Sequence, residues 1–198
     1  MSSTPKVLVI ALIAGSLGLL ASLWTAGFTP LLHSALGQRV LGAMLAARAP
    51  KAPAGITVAR PGLAIPPLQL RDLDGRIVPL PLAHAKHAVL INLWASWCGP
   101  CVREMPYLER FSSQQADNGV QVLGIALDDP TAVRAFLRQV PVTYPILTDA
   151  PGPGDAGVRL GNPAGVLPYS VLVSAEGVLL KQHIGPFAAG ELENWVEP

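Results

Sequence analysis

Hydrophobic and polar positions divide the chain into three regimes. Residues 7–32 carry no charged side chain, and Lys6 stands just before them. A membrane-spanning helix needs about 20 apolar residues. Residues 7–28 are long enough, despite Gly15, Ser16 and Gly18, and are predicted to form a transmembrane helix behind a short polar tail, residues 1–6. Residues 29–63 change character. Leu31, Leu32, Leu36, Val40, Leu41, Met44 and Leu45 recur at helical spacing, interrupted by Gln38, Arg39 and Arg48. They predict a juxtamembrane helix that either lies on the membrane surface or continues the anchor. Pro50, Pro53, Pro61, Pro66 and Pro67 then exclude a helix and predict an extended linker.

From residue 64 to residue 198 the pattern is that of one folded domain. Apolar and polar positions alternate over residues 68–72, Asp74-Gly75 makes a turn, and residues 76–80 return. This predicts an N-terminal β-hairpin, with Pro79 and Pro81 suited to an edge. Residues 89–94 are apolar except for Asn92, as in a strand buried on both faces. Beyond Gly99-Pro100, Met105, Leu108 and Phe111 fall at spacings of three, the buried stripe of a helix that Gly119 ends. Residues 120–127 form a second buried strand. Asp128-Asp129-Pro130 opens a helix at Thr131, with Val133, Phe136, Leu137 and Val140 on one face. A short strand over 144–147, a turn-rich loop over 149–155 and one helical turn over 156–160 follow. Strands over 169–173 and 178–184 flank a hairpin turn, and a closing helix over 188–196 presents Leu192, Trp195 and Val196. Alternation of this kind predicts an α/β domain with a mixed central sheet and helices on its faces.

Composition adds the compartment. A hydrophobic content of 51% and a mean hydropathy of +0.42 are high for a soluble domain, and the excess lies in residues 7–32. A net charge of +1 gives no case for nucleic acid or for acidic partners. A cleaved signal peptide is the alternative to an anchor. It needs small residues at a cleavage site, and Thr25-Ala26-Gly27 beside bulky Trp24 is the nearest match. An uncleaved anchor is the preferred reading. Lys6 and the α-amino group precede the segment and Arg39 is the first full positive charge after it, which favours a cytoplasmic N-terminus.

The candidate chemistry sits between the first buried strand and the helix after it. Cys98 and Cys101 are the only cysteines, separated by Gly99-Pro100. Such a pair closes a small disulfide ring or opens to a dithiol. Cys98 would stand at a helix N-terminus, where unpaired N–H groups and the helix dipole favour a thiolate. The thiolate attacks in thiol–disulfide exchange, and a second thiol resolves the mixed disulfide. Cys98 is the candidate nucleophile. Cys101, one turn in and more buried, is the candidate resolving thiol. Two other readings stand beside this one. A zinc site would need two further ligands, for which His84 and His87 are the candidates. A structural disulfide would close a very short loop and stabilise little.

The run from Trp94 to Cys101, Trp-Ala-Ser-Trp-Cys-Gly-Pro-Cys, resembles the active site of the thioredoxin superfamily. With Asn92, Leu93 and Arg103-Glu104-Met105-Pro106 it resembles the membrane-anchored TlpA/ResA-like thiol–disulfide oxidoreductases of bacteria, over about residues 64–196. The resemblance implies a thioredoxin-like fold and a reductase anchored in the inner membrane with its catalytic domain in the periplasm. Cytosolic thioredoxins carry an acidic residue where this chain has Asn92. The branch instead places a glutamate three residues after the second cysteine, matching Glu104, which becomes the candidate proton-relaying group. The same Glu104 also fits as an ordinary first-turn helix carboxylate. Pro106 matches the superfamily's mid-helix kink. Leu167-Pro168-Tyr169-Ser170 matches the segment in which the superfamily's proline is cis and packs against the cysteine pair. Trp97, Pro100, Leu167 and Pro168 then form the candidate substrate-binding surface, with the Leu167 backbone open to an extended peptide. Tyr169 is expected to add to it.

The expected function is reduction of disulfides in extracytoplasmic protein substrates, in cytochrome c maturation or at copper-site thiols. No cofactor or bound metal is expected. A membrane thiol-reductant transporter is the electron donor that the resemblance implies. A disulfide-donating oxidant is the alternative direction, and a copper- or zinc-binding module using the same cysteines is the alternative class. A peroxidase of the peroxiredoxin kind would need threonine at position 95, which is Ala95.

Overall fold

The computed structural model describes residues 34–83, 85–115 and 119–197. The expected transmembrane segment, residues 7–28, lies outside them. No helix among the described residues is long and apolar enough to cross a membrane. The chain divides into two units, residues 1–41 and 42–198. Helix α1 (Ala35–Arg48) begins where the Ser34 hydroxyl accepts the Gly37 N–H at 3.0 Å, an N-cap. Its Leu36, Val40 and Met44, four residues apart, are exposed.

The second unit is built on a seven-stranded sheet. Its elements are β1 (Leu68–Asp72), β2 (Ile77–Leu80), β3 (Val89–Trp94), α2 (Gly99–Gln115), β4 (Gln121–Leu127), α3 (Pro130–Leu137), β5 (Ile146–Asp149), α4 (Ala156–Arg159), β6 (Tyr169–Val173), β7 (Leu179–Ile184) and α5 (Glu191–Val196). The spatial order is β2-β1-β5-β4-β3-β6-β7. β3, β4 and β5 run parallel, as strands joined by helical crossovers do. β1, β2, β6 and β7 pair antiparallel with their neighbours. The sheet is therefore mixed, and the domain has the α/β form that the alternation predicts.

β3 is the centre. All of its residues are buried, and successive side chains leave on opposite faces. Val89, Ile91 and Leu93 join a core with Ile125, Leu127, Val171 and Leu160. Leu90 and Trp94 join the other core, with Met105, Leu108 and Phe111 of α2, Val133 of α3 and Leu192 of α5. Asn92 is the only polar residue of the strand and shares the face of Leu90 and Trp94. On that face Gly124 of β4 leaves the room that Trp94 occupies: a Cβ there would lie 2.5 Å from Ile146 Cδ1 and 3.2 Å from Trp94 Nε1.

Several boundaries differ from expectation for local reasons. β5 begins at Ile146 rather than at residue 144, because Pro145 has no N–H to donate to a ladder. α3 ends at Leu137, capped by Arg138, so Val140 lies beyond the helix. α5 begins at Glu191, after Gly190 takes a φ of 75°. The Pro-rich segment is tied to the domain before residue 64. Ala59 donates to Arg159 O at 2.8 Å, Gly62 donates to Leu179 O at 2.8 Å, and Leu179 donates to Leu63 O at 2.9 Å.

α2 rests on the sheet through Leu108, which is fully buried. Leu108→Ala should lower the unfolding free energy by about 2–5 kcal/mol, the range for a truncated core leucine. Urea titration of the oxidised protein measures it; a change below about 1 kcal/mol would show that α2 is not packed as described.

Candidate active site

The end of β3 delivers the chain to the cysteines, and β4 fixes it there. Asp128, just past β4, accepts hydrogen bonds on one carboxylate oxygen from Ser96 N at 2.9 Å and from Ser96 Oγ at 2.6 Å. The Cys98 N–H closes a turn on Ala95 O at 3.1 Å. α2 starts at the next residue. Pro100 stands in its first turn, where its missing N–H costs nothing.

Cys98 therefore occupies the capping position of α2. Its carbonyl accepts from Val102 N at 3.1 Å, and its sulfur accepts from Cys101 N at 3.3 Å. A side-chain acceptor at this place satisfies one of the orphan N–H groups of the helix. In the reduced state the same N–H groups and the helix dipole stabilise negative charge on that sulfur. The two sulfurs are bonded in this structure, with the Cα atoms 5.3 Å apart. Cys101 is 1% exposed and Cys98 5%, whereas the neighbouring Trp97 is 71% exposed. An apolar plane stands out of the surface beside an almost sheltered disulfide.

Leu167 is half-buried and packs against the core cluster that contains both cysteines. The Leu167–Pro168 peptide is cis, and Pro168 O accepts from Gly185 N at 2.9 Å. Pro100 is half-buried. Tyr169 is not part of this surface. It is 1% exposed, belongs to the core on the other face of the sheet and donates its hydroxyl to Leu160 O at 3.1 Å. The reason is strand parity: Tyr169 points with Val171 and Val173, away from the cysteines.

Glu104 is three residues after Cys101 on α2 and shares its buried face. It is 3% exposed, so it is not an ordinary solvated first-turn carboxylate. Oε2 accepts from Asn92 Nδ2 at 3.1 Å, and Oε1 accepts from Phe187 N at 2.8 Å. Desolvation pushes its pKa up to about 7, against the pull of those two donors and with a smaller push from the charge of Glu191. A buried carboxyl that changes charge near neutrality can take or give a proton at physiological pH.

Other groups enter the site that sequence reasoning passed over. Asp128 is one. Ser170 accepts on Oγ from Asn92 Nδ2 at 3.0 Å. Phe187 supplies the backbone N–H, and His183 lies fully buried behind it. The available signal was a lone polar residue within an apolar strand at Ser170; His183 shares its strand with Lys181 and Gln182 and carried no such signal. Among the described residues no group of three or more histidines, cysteines or acidic residues is placed to hold a metal ion; His84 lies outside those residues.

The Redoxin family model matches residues 60–196. The thiol-disulfide oxidoreductase ResA of Bacillus thuringiensis (strain Al Hakam) is 30% identical over 139 residues, 69% of this chain and 76% of the relative. ResA of Halalkalibacterium halodurans is 27% identical over 144 residues, 71% of this chain and 78% of the relative. Among solved structures, a chain described as a thiol:disulfide interchange protein DsbE from Chlorobium tepidum superposes with a TM-score of 0.59. It is 28% identical and covers 70% of this chain and 96% of its own length. With a cysteine pair at the head of α2, the chain belongs to the Redoxin family and is a thiol–disulfide oxidoreductase of thioredoxin-like fold.

Proposed function

We propose that this protein reduces disulfides of other proteins on the periplasmic side of a bacterial inner membrane, held there by residues 7–28 as a single-pass anchor. The observation that carries the reading is the Cys98 sulfur, 3.3 Å from Cys101 N at the head of α2. Gly99-Pro100 between the cysteines supports the reductive direction, since it resembles reducing thioredoxins more than strong oxidants. The charge-free segment and the bias of Lys6 against Arg39 support the placement.

In the dithiol form, Cys98 thiolate attacks one sulfur of a substrate disulfide. A Cys98–substrate disulfide forms, and the other substrate sulfur leaves as a thiolate that takes a proton from water. Trp97, Pro100 and Leu167 line the surface on which the substrate rests, with the buried Pro168 beside Leu167 behind it. Cys101 gives its proton to the Glu104 carboxylate and attacks the Cys98 sulfur. The Cys98–Cys101 disulfide forms, and the second substrate sulfur is released. Two electrons have passed to the substrate. A membrane thiol-reductant transporter restores the dithiol. The resemblance to TlpA/ResA-like proteins supports substrates in cytochrome c maturation or the thiols of a copper site.

Three outcomes test this reading. Equilibrated in graded dithiothreitol or glutathione buffers, the pair should show a potential near about −270 mV, as thioredoxin does. A value near about −120 mV, that of a strong periplasmic oxidant, would reverse the direction, and failure to form a disulfide at any poise would end the redox reading.

Cys98→Ser should abolish disulfide turnover. Cys101→Ser should instead accumulate a covalent enzyme–substrate disulfide visible by mass. Accumulation in the Cys98 variant would exchange the two roles.

Glu104 binds its proton more tightly in the folded disulfide form than in the unfolded chain, about 7 against 4.5. The extra stability is complete below pH 4.5 and lost as pH rises through 7, because the folded state holds the proton through that window. Relative to Glu104→Gln, the wild type should lose about 3 kcal/mol across it, at about 1.4 kcal/mol per pH unit. Urea titrations at a series of pH values measure the difference; a flat difference contradicts the buried-carboxyl reading.

A further inference from the structure

Glu104 is one end of a polar line buried inside the domain. Asn92 of β3 faces Ser170 of β6 in register, and Ser170 faces His183 of β7. Residues facing each other across neighbouring strands leave the sheet on one side. The three side chains therefore form a row on the face that α2 and α5 cover, and all are buried. Asn92 bonds both to Glu104 and to Ser170.

The far end of the row returns to Glu104 by a second route. The His183 ring lies flat on the Phe187 ring, centroids 4.1 Å apart and planes 14° apart. Trp195 meets it edge-on at 6.0 Å. His183 Nδ1 is 3.8 Å from Glu191 Oε1. Phe187 donates its N–H to Glu104 at 2.8 Å, and the next N–H, of Ala188, goes to Glu191 Oε2 at 2.7 Å. Two carboxyl groups thus hold consecutive N–H groups of one turn, and the histidine underlies that turn through the Phe187 ring. The titratable and charged groups facing this pocket are Glu104 from α2, Tyr144 from the segment before β5, His183 and Lys181 from β7, and Glu191 from α5. The Lys181 ammonium is occupied by the Trp195 carbonyl at 3.0 Å.

We propose that His183 is a positioning residue for the thiol chemistry: its ring, stacked on Phe187, fixes the turn whose N–H groups Glu104 and Glu191 hold, and so keeps Glu104 able to take the proton of Cys101. The inference rests on the proton-accepting role of Glu104 proposed above. The Phe187 N–H favours the ionised form of Glu104, and the Glu191 charge disfavours it. Only the ionised carboxyl can accept the Cys101 proton. With that turn loosened, Glu104 loses a donor and ionises at higher pH; without the Glu191 charge it ionises at lower pH.

The test uses the reduced full-length protein in detergent and an aromatic disulfide that releases a coloured thiolate. Cys98 attack releases one aryl thiolate. Cys101 attack on the mixed disulfide releases the second, with its proton passing to Glu104. One dithiol and one diaryl disulfide become one protein disulfide and two aryl thiols. The first release reports a folded active site, and the second is followed against pH. His183→Leu, which removes the stacked ring, should move the rise of the second phase about one pH unit higher, the size expected when one hydrogen bond to the carboxylate is weakened. Glu191→Gln should move it lower. His183→Phe, which keeps a flat ring against Phe187, should return it most of the way to wild type. If Glu104→Gln leaves the second phase unchanged, the Glu104 role itself fails. If Glu104→Gln alters it while His183→Leu follows the wild-type profile, this inference alone is overturned. Should His183→Leu lack the first release, Phe187→Leu, which removes the other ring of the stack, decides in its place by the same upward move.

Discussion

A sulfur takes the place usually held by a serine or aspartate oxygen at the start of a buried helix. Much of the domain is arranged to make that substitution possible. The helix must begin at the end of a central strand, so β3 is buried on both faces and cannot slide. The loop between them must not relax, so Asp128 from the neighbouring strand holds both the N–H and the hydroxyl of Ser96. α2 must not tilt away, so Met105, Leu108 and Phe111 bind it to the sheet. Only then does the Cys101 N–H point at the Cys98 sulfur and give the helix dipole an anion to stabilise when the pair is reduced.

The same packing creates the electrostatic problem that Glu104 embodies. A charged carboxylate in this interior loses its hydration, and two good donors recover only part of that loss. The result is a group near its ionisation point rather than a permanently charged or permanently neutral one. Asn92 matters because an amide can donate to Glu104 with one N–H and to Ser170 with the other, neutralising nothing and leaving the proton mobile. A cation in its place would lower the proton affinity of Glu104 and make it a poor acceptor for a thiol proton.

Residues 89–94 and the helix after them are legible in the chain because their periodicities are strong and the cysteines sit at the junction. The hairpin is legible from Asp74-Gly75, and β6 from the apolar run that follows Pro168. The burial of Glu104 is not: Glu104 stands in the second turn of α2, an acidic residue near the start of a helix fits solvent equally well, and only tertiary packing decides. His183 is harder still. A single residue of register determines whether a side chain in β7 faces the interior or the other side of the strand. Its neighbours Ser170 and Asn92 are distant in sequence, and nothing local signals that the three line up. Tyr169 fails for the same reason in reverse, since its nearness to Pro168 suggests the active-site face while strand parity sends it to the other core. The start of the domain is blurred by prolines that exclude a helix yet do not prevent Ala59 and Leu63 from bonding to the folded body.

Asn92 and Glu104 also show why one carboxyl occupies this interior and not two. They approach from opposite sides, one from the sheet and one from the helix, and meet at 3.1 Å. An acid on β3 or an acid on α2 reaches the same volume. With both, two like charges would share one desolvated space, and one would stay protonated through neutrality. The amide at position 92 is therefore the complement of the glutamate rather than a neutral leftover of an acidic position. It keeps a donor where a second carboxylate would compete. It also fixes which element carries the mobile proton: the helix that bears the resolving thiol, so proton and sulfur are positioned by one rigid body.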